Sequence, residues 1–295
     1  MSVSRNLADI ALEVIGTDAG TSNAGFGTGT LDSIASGGNY NTALGDSALT
    51  AVTTGDNNVG VGYQAGLAIT TAEGNVAIGT CTLKAVTTGG CYNVAVGTNA
   101  ADAVTTGDDN VAIGRNALGV STTGGLNIAI GQLAIGAADT TGTNNIGIGT
   151  YSMDALTTGL TNIAIGRHAL GAATTGCANI AIGELAMGAT VTTGTNNIAI
   201  GSSTMDALTS GACNVAIGLD ALGAATTAAA NIAIGKSALG AGVTVLAGYN
   251  IAIGWEAMDA LTTGCANVAL GGGALGAATT GCFTVSYTHL RAHET

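Results

Sequence analysis

His168 is the first residue to weigh for chemistry, because imidazole can serve as a general base or a metal ligand near neutral pH. It is the only histidine ahead of residue 289, and equivalent positions along the chain hold Asn116, Asp220 and Ser237. A site that accepts those substitutes reads as a solvated turn. Glu184, Glu256, Asp220 and Asp102 supply carboxylates, but acid–base work needs a cleft that drives two pKa values apart. Each stands as a single polar choice at an outward position. No serine is partnered with histidine, and the run Gly271–Gly273 lacks the lysine of a phosphate loop. Trp255 and the tyrosines Tyr63, Tyr92, Tyr151 and Tyr249 are scattered, so Trp255 reads as a surface contact rather than a sugar platform. The six cysteines, Cys81, Cys91, Cys177, Cys213, Cys265 and Cys282, form no Cys-x-x-Cys pair, and zinc is not expected. Four of them (Cys91, Cys177, Cys265 and Cys282) share one turn position, where Cys alternates with Thr and Ala as a small filler. Cys265 and Cys282 would lie on adjacent coils and could reach bonding distance, which leaves their pairing open. No catalytic, cofactor-binding or metal residue is assigned, and no enzyme is expected.

The elements that position these side chains come from a repeat. The motif Asn-(Val/Ile)-Ala-(Ile/Val)-Gly has its asparagine at 41, 58, 75, 93, 110, 127, 145, 162, 179, 197, 214, 231, 250 and 267. The spacing is 17 or 18 residues, with one interval of 19. Within a unit, two β-branched residues flank Ala or Gly, as Ile163 and Ile165 flank Ala164. Period-two alternation predicts a short strand with the Ile pair on the buried face. A glycine closes the strand (Gly114, Gly131, Gly166, Gly218) and suits a corner that needs positive φ. Four residues on stands a second apolar anchor: Leu118, Ile135, Met153, Leu170, Met187, Met205 or Leu222. Thr-Thr-Gly then leads back to the next asparagine.

A unit of this size cannot bury its own apolar face, but stacked copies can. The expected fold is all-β: a parallel β-solenoid, or β-roll, of about 14 coils of 17–18 residues, stacked at ~4.8 Å. The asparagines should form a ladder, each amide bonding the next coil. A 52-residue super-repeat brings Asp102, Asp154 and Asp206 into one register, with Asp259 following after 53. A three-sided 52-residue coil would stack these like charges directly, which is destabilising. Coils of 17 residues separate them by three coils and are preferred.

Composition bounds the function. The chain has 295 residues, 49 of them glycine, no proline, 8% charged residues and 47% hydrophobic residues. It is too apolar for intrinsic disorder, and collagen and a membrane-spanning helix are excluded by their own sequence requirements. The net charge of −12, with few scattered basic residues, argues against binding nucleic acid or an anionic membrane surface. The strand position opposite the Ile pair is always Ala or Gly. That strip suggests close approach of another sheet, from the coil's own far wall or a neighbouring chain, and side-by-side oligomerisation is expected.

Three parts are expected. Residues 1–33 form a cap or attachment segment, with a short helix from Ser4 that groups Leu7, Ile10, Ala11 and Ile15 on one face. Residues 34–283 form the solenoid. Residues 284–295, ending in VSYTHLRAHET, resemble translated sequencing-adapter read-through and are expected to be foreign to the fold, so His289 and His293 are not read as a metal pair. The start lacks the basic region and apolar core of a signal peptide.

The unit Asn-x-Ala-Ile-Gly-x-x-Ala-Leu-x-x-x-Thr-Thr-Gly resembles repeats of bacteriophage tail-fibre-like proteins. It is also similar to the shorter head repeat of trimeric autotransporter adhesins, centred on Ala-Ile-Gly. The opening Ser4–Asp9 resembles the start of some marine phage fibre proteins. The resemblance covers about residues 34–283 and implies a trimeric, left-handed parallel β-roll serving as an adhesive shaft or head. Such a homotrimer would stand in a virion tail fibre or on an extracellular surface and face a cell-surface receptor or glycan. The unit is longer than the adhesin head's, and neither an anchor barrel nor a carboxyl-terminal chaperone is found. The rival expectation is an ice-binding solenoid that presents ranks of threonine.

Overall fold

The computed structural model describes residues 20–240 and 248–288. The chain divides into two compact units, Met1–Thr141 and Gly142–Thr295. Both are parallel β-solenoids built from three-residue strands. In the first unit these are β1 (Ala24–Phe26), β2 (Thr42–Leu44), β3 (Val59–Val61), β4 (Val76–Ile78), β5 (Val94–Val96), β6 (Val111–Ile113) and β7 (Ile128–Ile130). In the second they are β8 (Ile146–Ile148), β9 (Ile163–Ile165), β10 (Ile180–Ile182), β11 (Ile198–Ile200), β12 (Val215–Ile217), β13 (Ile232–Ile234), β14 (Ile251–Ile253), β15 (Val268–Leu270) and β16 (Val285–Tyr287). Each strand pairs in parallel with the next in its unit, residue for equivalent residue, as Ile163, Ala164 and Ile165 pair with Ile180, Ala181 and Ile182. One sequence unit is one coil. The 52-residue wide coil is not formed.

The coil register starts ahead of the strict repeat. Asn23 already occupies the ladder and β1 pairs with β2. At the other end Val285–Tyr287 pairs with β15, although Val285 and Tyr287 are exposed. The helix expected from Ser4, with Leu7, Ile10, Ala11 and Ile15, lies outside the described residues, as do His289 and His293. Among the described residues there is no helix.

Turning a chain through one coil in so few residues calls for left-handed backbone. Between β9 and β10 it comes at His168, Leu170 and Ala178, with φ of 55°, 48° and 55°. A non-glycine residue there costs about 1–2 kcal/mol. Stacking offsets that cost by satisfying each residue's N–H across coils. His168 donates to Thr150 O at 3.1 Å, Leu170 to Ala186 O at 2.9 Å and Ala178 to Leu160 O at 2.9 Å. The glycine after each strand meets a stricter requirement. Gly218 has φ of 132°, and a Cβ there would stand 2.7 Å from the carbonyl of Gly235. Coil backbones at this corner are too close for any side chain.

The core overturns one expectation. The second apolar anchors (Leu118, Ile135, Met153, Leu170, Met187, Met205 and Leu222) are buried as expected. The strands, however, turn the other way. Their central Ala or Gly points into the coil, and the flanking Ile and Val residues point outward. The interior shows why. A Cβ on Gly60 would meet Leu49 Cγ at 2.8 Å and Ala65 O at 3.2 Å. The anchor of one coil already lies against the strand centre of the next, leaving room for Ala or Gly only. The small strip therefore faces the coil's own interior and is not a seam between chains.

Beside it runs the asparagine ladder, with Asn197 wholly buried. Asn197 Nδ2 donates to Asn179 Oδ1 at 3.1 Å and to Gly211 O at 2.9 Å. Its Oδ1 accepts the Asn214 N–H and Nδ2, both at 3.0 Å. The same pattern runs from Asn41 to Asn110 in the first unit and from Asn162 to Asn267 in the second. A buried amide that donates and accepts along the stack satisfies backbone groups that the tight turn would otherwise leave orphaned.

Candidate functional site

Three surfaces of the coil could meet a partner: the outward side of the strands, the threonine turn and the corner after the apolar anchor. On the strand side each triplet from β3 to β15 places two aliphatic side chains outside, and stacking aligns them into two parallel ribbons in each unit. Ile165, Ile200, Ile217 and Ile253 are 36–38% exposed. From β8 to β15 both outward positions are Ile, Val or Leu in every strand, and no charge interrupts them. The all-Ala or Gly strand centre was the available signal for these ribbons: a strand residue that is always small marks the crowded side.

Beside the ribbons, the residue after each strand-closing glycine varies freely: Arg115, Arg167, Glu184, Leu219, Lys236 and Trp255 all occur there. Arg167 and Glu184, on adjacent coils, form an exposed ion pair, and pairs of this kind contribute little to stability. Trp255 is exposed on the same flank. His168 stacks on Tyr151 with ring centroids 5.0 Å apart and planes within 2°. It is part of a turn surface.

The threonine turn offers hydroxyls in two files. The inner one is occupied: Thr157 Oγ1 donates to Thr174 O at 2.9 Å, Thr209 Oγ1 to Thr226 O at 2.9 Å and Thr262 Oγ1 to Thr279 O at 2.7 Å. The outer file, with Thr158 and Thr175, faces solvent. Ser210 interrupts it. One outward file remains.

The corner after the anchor forms shallow grooves. In the second unit a groove of about 360 Å³ is lined by Asp206, Asp220, Gly223, Ala224, Ser237, Gly240, Glu256 and Asp259. Asp206, Gly223, Gly240 and Asp259 occupy this corner on successive coils, so the glycines floor the groove and the carboxylates end it. Partial burial holds the Asp206 carboxyl above the usual carboxylate range, and the nearby Asp220 charge adds to this. Asp154 and Asp102 are raised in the same way by burial, with His168 opposing at Asp154 and Lys84 at Asp102. In the first unit a groove of about 340 Å³ runs beside Asp102, Asn116 and Leu133. Among the described residues no group of three or more His, Cys, Asp or Glu is placed to hold a metal ion.

Cys265 and Cys282 form a disulfide between adjacent coils, with Cα atoms 4.6 Å apart and a sequence separation of 17. Cys81, Cys91, Cys177 and Cys213 are free. Among the described residues no helix is long and apolar enough to cross a membrane.

Fold and surface together define a parallel β-solenoid protein with an aliphatic outer face. No family model matches the chain, and no curated protein or solved structure matches it.

Proposed function

We propose that the protein is a structural and adhesive fibre component, a shaft or head segment of a phage tail fibre or adhesin that mediates attachment to a cell surface. One observation carries this reading. Within each unit the coils spend their backbone bonds and buried asparagines on neighbours along a single direction, so successive coils add length without changing the cross-section. That arrangement suits a spacer or stalk. The working form is a homotrimer at a virion tail fibre or extracellular surface, and its partner is a receptor or glycan on the cell.

The direct test is retention of fluorescently labelled protein on washed bacterial cells across a strain panel, with an unrelated acidic protein as control. Saturable retention on a subset of strains, competed by unlabelled protein, is the expected result. Retention no greater than the control on every strain would reject the attachment role. The ice-binding alternative has only the single outward threonine file in its favour, and a thermal-hysteresis measurement decides it: activity at micromolar protein would displace the fibre reading.

A further inference from the structure

The groove at the corner of the first unit carries polar groups that the coil does not use. Its volume of about 340 Å³ falls within the range of roughly 300–1,000 Å³ usual for small-molecule sites. Asn99 and Asn116 line it from adjacent coils, both half-buried, with φ of 53° and 56°. Asparagine tolerates that left-handed backbone, but the turn does not require it, because Leu133 on the next coil takes φ of 55°. Among the described residues neither side-chain amide has a hydrogen-bond partner.

The coil does not require the carboxylate either. Asp102 occupies a corner that neighbouring coils fill with Lys84, Gly119 and Gly136. Partial burial holds its carboxyl above the usual range, against the pull of its own N–H and of Lys84, so its charge is kept there at a cost to the fold. The floor stays open for a packing reason. A Cβ on Gly136 would stand 2.2 Å from Asn116 O, so no side chain can rise from that position. Leu133 and Val120 add an aliphatic surface, with Val120 42% exposed.

We infer that this groove binds a neutral pyranose, presented as a mono- or disaccharide unit of a glycan. The inference rests on the attachment reading and deepens it, naming a glycan as the partner and giving its place on the chain. Each free amide offers both donors and an acceptor, whereas an ionised Asp102 only accepts. Sugar hydroxyls donate and accept, so they meet both kinds of group at once, while the C–H face of the ring covers Leu133 and Val120. Other ligand classes leave part of the groove unmet. An apolar ligand would bury two amides and a carboxylate without partners. A cation would use Asp102 and neither amide donor. A phosphate, a sulfate or an acidic sugar would meet the Asp102 charge on a chain of net charge −12. Asn99, Asn116 and Leu133 span two coil intervals, about 10 Å at ~4.8 Å each, which limits the site to a mono- or disaccharide. The groove of the second unit presents Asp220, Ser237 and Glu256 in place of the amides and is not expected to take the same ligand.

The test is a nuclear magnetic resonance titration of the ¹⁵N-labelled full chain. The probes are the methyl glycosides of glucose, galactose, mannose, rhamnose, N-acetylglucosamine and N-acetylgalactosamine, each taken to tens of millimolar. At least one should shift the side-chain amide signals of Asn99 and Asn116 saturably, with a dissociation constant in the millimolar range. The buried ladder amides of Asn93 and Asn110 should stay in place. N116D should raise that constant roughly tenfold, and it should fold, because Asp220 already takes the same backbone at φ of 53°. D102N should weaken binding as well, and S237A should leave it unchanged. N-acetylneuraminic acid should not bind. Failure of all six glycosides to shift Asn99 and Asn116, an N116D that binds as well as wild type, or shifts produced only by an uncharged tripeptide amide would overturn the inference. A chain that binds a glycoside but is not retained on cells would sink the attachment role and leave this site standing. A chain whose N116D variant is retained on cells as well as wild type would do the reverse.

Discussion

Replacing Asn197 by alanine removes one rung of the ladder at the middle of the second unit. The Asn214 N–H, which donates to Asn197 Oδ1 at 3.0 Å, would then lie buried without an acceptor. Such a group costs about 1–3 kcal/mol. Gly211 O also loses its 2.9 Å donor, at about 1 kcal/mol for a net hydrogen bond. Two partners are spared: Asn214 Nδ2 keeps Ala228 O at 2.7 Å, and the residue 197 N–H keeps Asn179 Oδ1 at 3.0 Å. The expected loss is therefore about 2–4 kcal/mol, read by urea titration followed by far-UV circular dichroism. At Asn267 the side-chain oxygen accepts only the Thr284 N–H among the bonds seen, at 2.9 Å, and the coil beyond it is largely exposed. N267A should cost less than N197A. T175A, on the outer threonine file, should cost under about 0.5 kcal/mol. If N197A and T175A proved equally mild, the ladder would not hold the coils together and the account of the core would fail.

Three further outcomes follow from the same packing. A199V forces two methyl groups toward the interior and should lose about 1–3 kcal/mol, whereas I200V on the outward ribbon should lose less than about 1 kcal/mol in the monomer; the reverse order in thermal melts would mean the strand faces inward after all. Reduction of Cys265–Cys282, or C265S/C282S, removes closure of a 17-residue loop and should weaken the last coil by about 3 kcal/mol. Hydrogen exchange should then quicken at β15 and β16 and stay unchanged at β8 to β12; uniform quickening would contradict a local staple. Asp206 has its folded-state pKa raised by burial, so the folded state binds its proton more tightly than the unfolded chain does. Its ionised form is destabilising above the folded pKa, and that penalty is relieved as pH falls through it. D206N should raise the melting temperature at neutral pH, with the gain disappearing in acid; a gain independent of pH would refute the burial argument.

Much of the architecture can be read directly from residue types. The asparagine spacing defines the coil, the 52-residue Asp register favours narrow coils, and the Leu and Met anchors at Leu170, Met187 and Met205 are buried as their pattern requires. The ladder was legible because a polar residue at every coil of an apolar repeat must be satisfied by its own copies. The left-handed backbone at His168 and Leu170 was not legible. Local preference disfavours it at both residues, and only the N–H acceptors on neighbouring coils make it tolerable. The Cys265–Cys282 bond needed the stack as well, since sequence spacing allows a pairing without requiring it.

The aliphatic strand face shows the division between sequence and structure. Alternation of Ile, Ala and Ile determines a strand with unlike faces, and the chain states that much by itself. Which face is inside depends on what approaches from the far wall of the coil. That wall is the anchor of the preceding coil, as Leu49 is for Gly60, and its side chain fills the space that Ile would need. Hydrophobicity alone would put the larger residues inside. The narrow interior puts alanine there, and the isoleucines go outside.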